Sequence, residues 1–297
     1  MAKGITINEM LRGAQAEGLS LGQWTIKSQV EALEVSETDL RERMELNLQV
    51  MRHSALEGLT GKRRSMSGLV GGDAKRLEER RLTGQSLAGD VMARVAARAL
   101  AVAEVNAGMG KIVAAPTAGS CGVLPAVLLT VAEETGADDG RLVEALFAAS
   151  GIGIVIATQA SVSGAQGGCQ AECGSAACMA AVAAVELAGG DAERAVHAGA
   201  MALKTLLGLV CDPVAGLVEV PCVKRNVTAA VNALIAADMA LAGIKSNIPL
   251  DEVIVAMEQI GSAMPCALKE TAQGGLAITP TALRVKEEFL GTGQDKE

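Results

Sequence analysis

The chain has 297 residues, half of them hydrophobic and 1% aromatic, which allows a large buried core but offers too few aromatics for a base-stacking surface. A formal charge of -8 without a long basic tract also argues against a phosphate-binding groove, so we expect no nucleic acid partner. The N-terminus has no secretory apolar run, and later apolar stretches are interrupted or too short to span a bilayer, which predicts a cytoplasmic protein and no membrane partner.

The N-terminal region predicts two helical segments, NEMLRGAQAEG and SQVEALEVSETDLRERMELNLQVMRHSALEGL, the second with apolar residues at helical spacing. Ala-rich segments such as GSAACMAAVAAVELAGG follow later and favour helices that pack closely through small side chains. No alternating βαβ pattern is visible. We therefore expect an all-α fold made of a helical arm (residues 1–55), an Ala/Gly-rich helical main domain (56–290) and a polar tail (291–297).

Two glycine-rich loops stand directly before predicted helices, where free backbone N–H groups and the helix dipole could hold a carboxylate. Their residues are Ser67, Gly68, Gly71 and Gly72 in SMSGLVGG, and Thr117, Gly119, Ser120 and Gly122 in KIVAAPTAGSCGVLPAVLL. Residue types alone favour the simpler interpretation, that both loops are helix entries with N-cap hydroxyls. Neither loop matches the phosphate-loop or dinucleotide-binding patterns, so nucleotides are not indicated.

Three cysteines, Cys169, Cys211 and Cys222, are predicted to lie in loops and not within helices. Cys169 follows Gly-Gly, Cys211 precedes Asp-Pro and Cys222 follows a proline, so backbone geometry could aim each thiolate. Seven cysteines, an odd number in a chain without an export signal, indicate reduced thiols or metal ligands and not a disulfide framework. Because the three lie far apart in sequence, spacing alone leaves metal binding and packing about equally supported.

The four remaining cysteines are predicted to pack or to support the site, and not to bind a metal. Cys173 and Cys178 fall in an Ala-rich helix, where cysteine is commonly a small buried side chain. Cys266 follows Met-Pro and is also predicted to pack. Cys121 lies in a Gly-flanked loop and is predicted to lie near the metal ligands without binding the metal itself.

Histidine and the basic residues offer few candidates for proton transfer or anion binding. His53 and His197 are isolated histidines on predicted helices, which is typical of surface or internally hydrogen-bonded positions, and no Ser-His-Asp or HExxH pattern occurs. Lys111, Lys224 and Arg225 flank the loops and could neutralise a substrate carboxylate, although solvated charges are the simpler interpretation. Arg225 is favoured because the neighbouring cysteine loop holds its position.

Five motifs, in this order, resemble the α chain of the two-subunit, iron–sulfur-dependent L-serine dehydratases. They are SMSGLVGGD, KIVAAPTAGSCGVLPAVL, SVSGAQGGCQAECGSAACMAA, CDPVAGLVEVPCVKRN and MPCALKETAQGGLAITPTA, and they span about residues 60–284. The resemblance implies an all-helical catalytic domain with cluster-binding loops that converts L-serine to pyruvate and ammonia. It also implies a [4Fe-4S] cluster held by Cys169, Cys211 and Cys222, without pyridoxal phosphate, which favours metal binding over packing for these residues.

The resemblance further implies how the reaction would proceed. An iron without a protein thiolate polarises the hydroxyl of L-serine, a base removes the Cα proton, and Arg225 or loop N–H groups neutralise the carboxylate. The family places a catalytic histidine largely on the β subunit, so we expect a hetero-oligomer with that subunit and keep His53 as a minority candidate base. The chain ends in GTGQDKE, so the C-terminal cysteine that caps the fourth iron in single-chain relatives is not expected here.

On this basis the candidate site has three groups of residues. The metal ligands are Cys169, Cys211 and Cys222. The catalytic candidates are Ser67, Thr117, Ser120 and Arg225. The substrate-binding candidates are Ser67, Gly68, Thr117, Gly119, Ser120, Arg225 and Asn226. Two other interpretations stay open: a related cluster lyase such as an L-cysteine desulfidase, and a non-enzymatic iron or zinc protein whose metal is structural or redox-sensing.

Overall fold

The computed structural model describes residues 5–291, and within that range the backbone forms α-helices joined by loops, without a β-strand. In chain order the helices are α1 (Ile7–Glu17), α2 (Leu21–Leu33), α3 (Glu37–Leu59), α4 (Asp73–Leu82), α5 (Gly89–Ala107), α6 (Val123–Thr135), α7 (Asp139–Gln159), α8 (Gly164–Gly167), α9 (Ser175–Leu187), α10 (Ala192–Thr205), α11 (Cys222–Leu241), α12 (Leu250–Ala263) and α13 (Pro280–Gly291). The all-α prediction is confirmed. From residue 292 onward, the predicted polar tail lies outside the described residues.

Helix α9 lies at the centre of the fold, and all of its residues except Glu186 are buried. It packs against α6, α7, α10 and α11. Its many alanines let neighbouring helices approach closely: a Cβ built on Gly199 of α10 would lie 3.0 Å from Cys178 Sγ. Cys178 is therefore part of the helix packing, as the sequence predicted. The N-terminal end of this central helix carries the loop that holds Cys169.

The N-terminal region contains three helices where the sequence predicted two. The predicted second segment is interrupted at Glu34, which adopts a left-handed φ of 54° and ends α2. Ser36 then caps α3, because its side chain accepts a hydrogen bond from Asp39 N. Helices α1 and α2 bury Ile7 and Leu21 in the main core, and the predicted boundary at residue 55 falls within α3. In the described structure, these helices share the core of the main domain.

Helix α7 is long and apolar enough, by length and composition, to cross a membrane. The expectation that the apolar stretches are interrupted or too short to span a bilayer is therefore wrong for this 21-residue helix. However, 67% of its most apolar window is buried within the fold, and the helix packs against α2 and α9. Its hydrophobicity is accounted for by this central position.

Candidate active site

The three predicted ligand cysteines lie near one another beside the N-terminal end of α9, and the region around their sulfurs is called the thiol pocket below. Cys169 precedes the π-helical turn Gln170–Gly174 that leads into α9, Cys211 lies between α10 and α11, and Cys222 is the first residue of α11. All three thiols are free and are buried or partly buried. Burial and the negative charge of Cys169 raise the pKa of Cys222 to about 12, and they raise the pKa of Cys211 above its usual range. This mutual effect requires the sulfurs to be close in space.

Cys211 is held by the segment between α12 and α13. Its N–H donates to Leu268 O at 2.9 Å, and its carbonyl oxygen accepts from Glu270 N at 3.1 Å. Glu270 and Ala272 in this segment, and Ala215 shortly after Cys211, adopt left-handed φ angles of 52°, 53° and 55°. Such conformations cost about 1–3 kcal/mol each for non-glycine residues and are concentrated at functional sites. The loops beside Cys211 are therefore held in strained shapes by their surroundings.

Cys169 has two polar neighbours, Cys173 and Arg225. Its sulfur lies 3.5 Å from that of Cys173, and a hydrogen bond from Cys173, with the charge of Arg225, lowers the pKa of Cys169. Arg225 Nη1 also donates to Val210 O at 2.8 Å, and Nη2 lies 2.8 Å from Asp212 Oδ1. The arginine thus places its positive charge against a thiol while the backbone and a carboxylate hold it in position.

The second glycine-rich loop lies against a carboxylate that the sequence analysis did not single out, Glu172. Thr117 Oγ1 donates to Glu172 Oε1 at 2.7 Å and lies 3.2 Å from Ser120 Oγ. A Cβ built on Gly119 would lie 2.9 Å from the same carboxylate oxygen, and one on Gly164 would lie 2.7 Å from Oε2. Burial raises the pKa of Glu172. Thr117, Gly119 and Ser120 are therefore brought together at the thiol pocket, around a carboxylate.

Asn226 joins this loop to the cysteine that begins α11. Its Nδ2 donates to Gly119 O at 2.7 Å and to Cys222 O at 3.0 Å, while Oδ1 accepts from Gly122 N at 2.9 Å. The side chain is buried. Because both amide hydrogens and the oxygen bond to backbone groups, Asn226 holds two site loops in register in this structure.

The first glycine-rich loop is held by carboxylates of the protein itself. Ser67 donates through its N–H, at 3.3 Å, and through its hydroxyl to Glu219, which lies just before the last ligand cysteine. Buried Glu104 accepts from the N–H groups of residues 72–74 at 2.8–3.1 Å, so the start of α4 already holds an anion. Gly68 supplies a left-handed φ of 78° between these points. Ser67 and Gly68 are thus connected to the cysteine pocket through Glu219.

The histidines and lysines singled out from the sequence lie elsewhere. The side chain of His53 is 75% exposed on α3. His197 accepts from Ser246 N at 3.3 Å and joins α10 to the loop before α12. Lys111 is exposed, and Lys224 pairs with the start of α4. Within residues 5–291, no hydrogen bond or ion pair joins either histidine to a ligand cysteine.

Two further cysteines have clear positions. Cys121 is fully buried, and its sulfur lies 3.9 Å from Val102 O on α5. Burial raises the pKa of Cys121 to about 12, as expected for a thiol in an apolar environment. Cys266 is exposed, so the prediction that it packs is wrong. It follows Pro265 in a short 3₁₀ turn that leaves its side chain at the surface.

The sequence model of the family described as "Serine dehydratase alpha chain" matches residues 16–277. The chain belongs to this family. It is 49% identical over 285 residues to the "Probable L-serine dehydratase, alpha chain" of Bacillus subtilis, covering 96% of this chain and 95% of the relative. It is 42% identical over 288 residues to the "L-serine dehydratase, alpha chain" of Peptoniphilus asaccharolyticus, covering 97% and 99%.

A longer relative, the "L-serine dehydratase" of Streptomyces coelicolor, is 39% identical over 281 residues, which are 92% of this chain and 60% of the relative. The family resemblance seen in the motifs is thus confirmed. The site described above lies within the matched residues of this serine dehydratase alpha chain.

The donors in the pocket suit a group that takes soft thiolate ligands. Cys169, Cys211 and Cys222 are free, come from three separate parts of the chain, and affect one another's pKa values. Among residues 5–291, no three His, Cys, Asp or Glu side chains are arranged to hold one metal ion. An iron–sulfur cluster does not require such convergence, because each thiolate binds a different iron. These three thiols could therefore hold a cluster.

Sequence reasoning missed Glu172, although the sequence carried a signal for it. Only four of the fifty residues from 141 to 190 are charged: Arg141, Glu144, Glu172 and Glu186. Burying a carboxylate costs free energy unless it has a hydrogen-bonding or charged partner. An isolated carboxylate between two cysteines, in a stretch of small residues, therefore indicates a specific role. Sequence reasoning also missed Asp212, which forms an ion pair with Arg225.

Proposed function

We propose that this chain is the α subunit of an L-serine dehydratase, which converts L-serine to pyruvate and ammonia. The observation that carries the proposal is the pocket in which three free thiols meet one arginine and one carboxylate, in a member of the serine dehydratase alpha chain family. Two relatives that align with nearly the whole chain are named for this activity. A cytoplasmic location, where thiols stay reduced, is part of the proposal.

The cofactor in this proposal is a [4Fe-4S] cluster held by Cys169, Cys211 and Cys222. When bound, such a cluster supplies a Lewis-acidic iron that assists the departure of a hydroxyl group. Cys173 would support it, since its sulfur lies 3.5 Å from Cys169 and hydrogen bonds to ligand sulfurs tune such clusters. The mutual burial of the thiols and their separate origins support this assignment.

The other residues of the pocket would bind and orient the substrate. Thr117 donates its hydroxyl hydrogen to Glu172, and the neighbouring hydroxyl of Ser120 can donate to a carboxylate oxygen of L-serine. Arg225 offsets the negative charge of the thiolates and of that carboxylate. Neutralising the carboxylate makes the Cα proton easier to remove. Asn226 keeps the hydroxyl loop and the cysteine loop in register, so it is a positioning residue in this scheme.

We also propose that a β subunit covers the mouth of this pocket. Exposed apolar side chains occur on the loops around it, namely Met66, Leu69, Val218, Leu276 and Ile278. Ser67 bonds to Glu219 next to Val218, and Leu276 N donates to Asp212 at 2.8 Å, so these loops are joined to one another. Apolar side chains grouped in this way mark a protein interface.

The occupant is inferred from the relatives. Those that match this chain end to end are named alpha chains, whereas this chain covers only 60% of the longer Streptomyces coelicolor relative. The additional part of that relative corresponds in this proposal to the β subunit. We propose that the β subunit supplies the base, because the candidate base within this chain, His53, is exposed on α3.

The test is anaerobic purification of the chain alone and together with a β subunit, followed by absorption and EPR spectroscopy and a pyruvate assay. We expect iron and sulfide in both preparations, a change in the EPR spectrum on adding L-serine, and pyruvate formation mainly in the two-chain complex. Equal turnover by the single chain would overturn the need for a β subunit. A complex that is loaded with cluster but inert toward L-serine would overturn the proposed function.

The competing lyase assignment is tested in the same complex with L-cysteine. A dehydratase should have a higher kcat/KM for L-serine, whereas a desulfidase should prefer L-cysteine and release sulfide. A cluster whose spectrum changes with neither amino acid would point to a structural or redox-sensing metal.

A further inference from the structure

Glu172 is the one carboxylate that reaches the thiol pocket from the turn leading into α9. Thr117 donates to Oε1, but no hydrogen bond to Oε2 occurs among residues 5–291. The residue is partly buried, so Oε2 is not sealed inside the protein. A carboxylate with one oxygen held and the other open presents an acceptor in a set direction.

Two glycines keep space open around this carboxylate. A Cβ on Gly164 would lie 2.7 Å from Glu172 Oε2 and 3.3 Å from Cys211 Sγ, and one on Gly119 would lie 2.9 Å from Oε1. Neither glycine has a positive φ, so backbone conformation does not require glycine at these positions. Space is the remaining reason, and at Gly164 that space lies between the carboxylate and a ligand sulfur.

The electrostatics of the pocket leave Glu172 without a positive partner. Among the described residues, the charge that acts on Glu172 is the negative charge of Glu270. Within the described residues, no Lys, Arg or His forms an ion pair with Glu172, and Arg225 is paired with Asp212 and Cys169. A ligand that brings its own cation would therefore be favoured at Oε2.

We propose that Glu172 binds the α-ammonium group of L-serine through Oε2 and thereby selects amino acids over hydroxy acids. This inference rests on the proposed function and adds a substrate-binding residue to it. Thr117 orients the carboxylate through Oε1, and Gly164 leaves room for the ammonium group beside Cys211. The substrate carboxylate then lies toward Arg225 and the hydroxyl of Ser120, so the two charged groups of L-serine bind at separate points.

The experiment compares wild type with Glu172→Gln in the cluster-loaded two-chain complex. The KM for L-serine should rise about 10- to 100-fold, as expected when a charge-assisted hydrogen bond is lost, with a smaller change in kcat. L-Glycerate, which carries a hydroxyl group in place of the ammonium group, is used as a competitive inhibitor. Its Ki should stay the same or fall, so the preference for the amino acid should shrink at least about 10-fold.

Glu186→Gln is the matched control, because Glu186 is a carboxylate at the other end of α9 that bonds to the backbone of α2. It should leave both the KM for L-serine and the Ki for L-glycerate unchanged. Iron content and absorbance of each variant show that the cluster is loaded. If Glu172→Gln does not load, Glu172→Asp is measured instead, and an intermediate rise in KM with unchanged Ki for L-glycerate supports the proposal.

Two outcomes would overturn the inference. One is a fall in kcat with an unchanged KM, which would make Glu172 a proton-transfer residue. The other is an equal loss of affinity for L-serine and L-glycerate, which would indicate a general structural effect. Failure of the proposed function is seen separately, because wild type would then not turn over L-serine at all.

Discussion

Two carboxylates lie near opposite ends of α9, Glu186 on the helix and Glu172 in the turn that leads into it, and they have different environments. At the C-terminal end, Glu186 accepts from Leu21 N at 2.5 Å and from Gly22 N at 3.2 Å, so both oxygens cap the start of α2. At the N-terminal end, Glu172 has one bond, from Thr117, and an open oxygen beside free thiols. Burial raises the pKa of both residues.

The comparison shows that burial of a carboxylate does not by itself identify a functional residue. Glu104 resembles Glu186, since its two oxygens accept three N–H groups at the start of α4. At α4, whose N-cap Gly72 has no side-chain cap, the acid takes that role, and at α2 it adds to the cap made by Ser20. Only Glu172 among these three leaves an oxygen for a ligand, which is why the substrate is inferred to bind there.

The largest effect is expected from removing a ligand at the N-terminal end of α9. Cys211→Ser should abolish the visible absorbance of the cluster and lower kcat by more than ~100-fold. Loss of a residue that only hydrogen-bonds to a metal ligand typically lowers activity about 10- to 100-fold, and loss of a ligand itself should have a larger effect. Cys178→Ala, within the buried part of α9, should keep iron content and turnover close to wild type. Equal loss of iron in both variants would contradict the distinction between the ligand Cys211, which lies beside the N-terminal end of α9, and the packing residue Cys178 within that helix.

The next effect concerns the C-terminal end of α9 and depends on pH. Burial, with the like charge of Glu144, raises the pKa of Glu186 from its ordinary 4.5 to about 7. Between these pH values the folded protein keeps a proton that the unfolded chain has released, so the free energy of unfolding should fall as pH rises, by as much as ~3 kcal/mol. Above about pH 7 this contribution should level off.

Glu186→Gln cannot release this proton and should lose that part of the slope. Chemical unfolding of wild type and variant between pH 4.5 and 8 measures the difference. If both proteins showed the same dependence on pH, Glu186 would not be the group responsible.

A smaller effect is expected from filling the space beside Glu172. Gly164→Ala places a methyl group close to Oε2 and to Cys211 Sγ, so kcat/KM for L-serine should fall about 10-fold through a higher KM, with cluster content retained. Gly136→Ala is a poor control, because its φ of 67° adds strain. Gly140→Ala is the better control, because a Cβ at Gly140 would lie 3.4 Å from Asp138 Oδ1, an ordinary contact distance. An unchanged KM in Gly164→Ala would argue against ligand binding at Oε2.

The smallest effect is expected at His53. Its side chain is exposed on α3, away from both ends of α9 as judged from its contacts, so His53→Ala should change kcat of the two-chain complex by less than about two-fold. Pyruvate formation across pH 6–9 is the measurement. A large fall in kcat together with loss of the acidic limb of the profile in this variant would restore His53 as the base.

Much of the fold and part of the site could be predicted from local sequence. Ala-rich segments favour closely packed helices in many contexts, so the all-α class followed from composition and pattern. The cysteine loops were recognisable because glycine and proline mark breaks in helices. The interruption of the second helical segment was missed, because Ser36 forms an N-cap within a pattern whose apolar spacing continues through it.

The sequence by itself determined the helical class, the loops that bear cysteines, and a series of motifs specific enough to identify the family. These depend on short-range preferences and on residue order. Only the tertiary structure decided which side chains meet. Glu172, Glu186 and Glu104 are chemically equivalent in the sequence, yet α2 and α4 bring N–H groups to two of them and none to the free oxygen of the third. Hydrogen bonds form across distances that sequence spacing does not encode, and here they separate structural carboxylates from the one inferred to bind substrate.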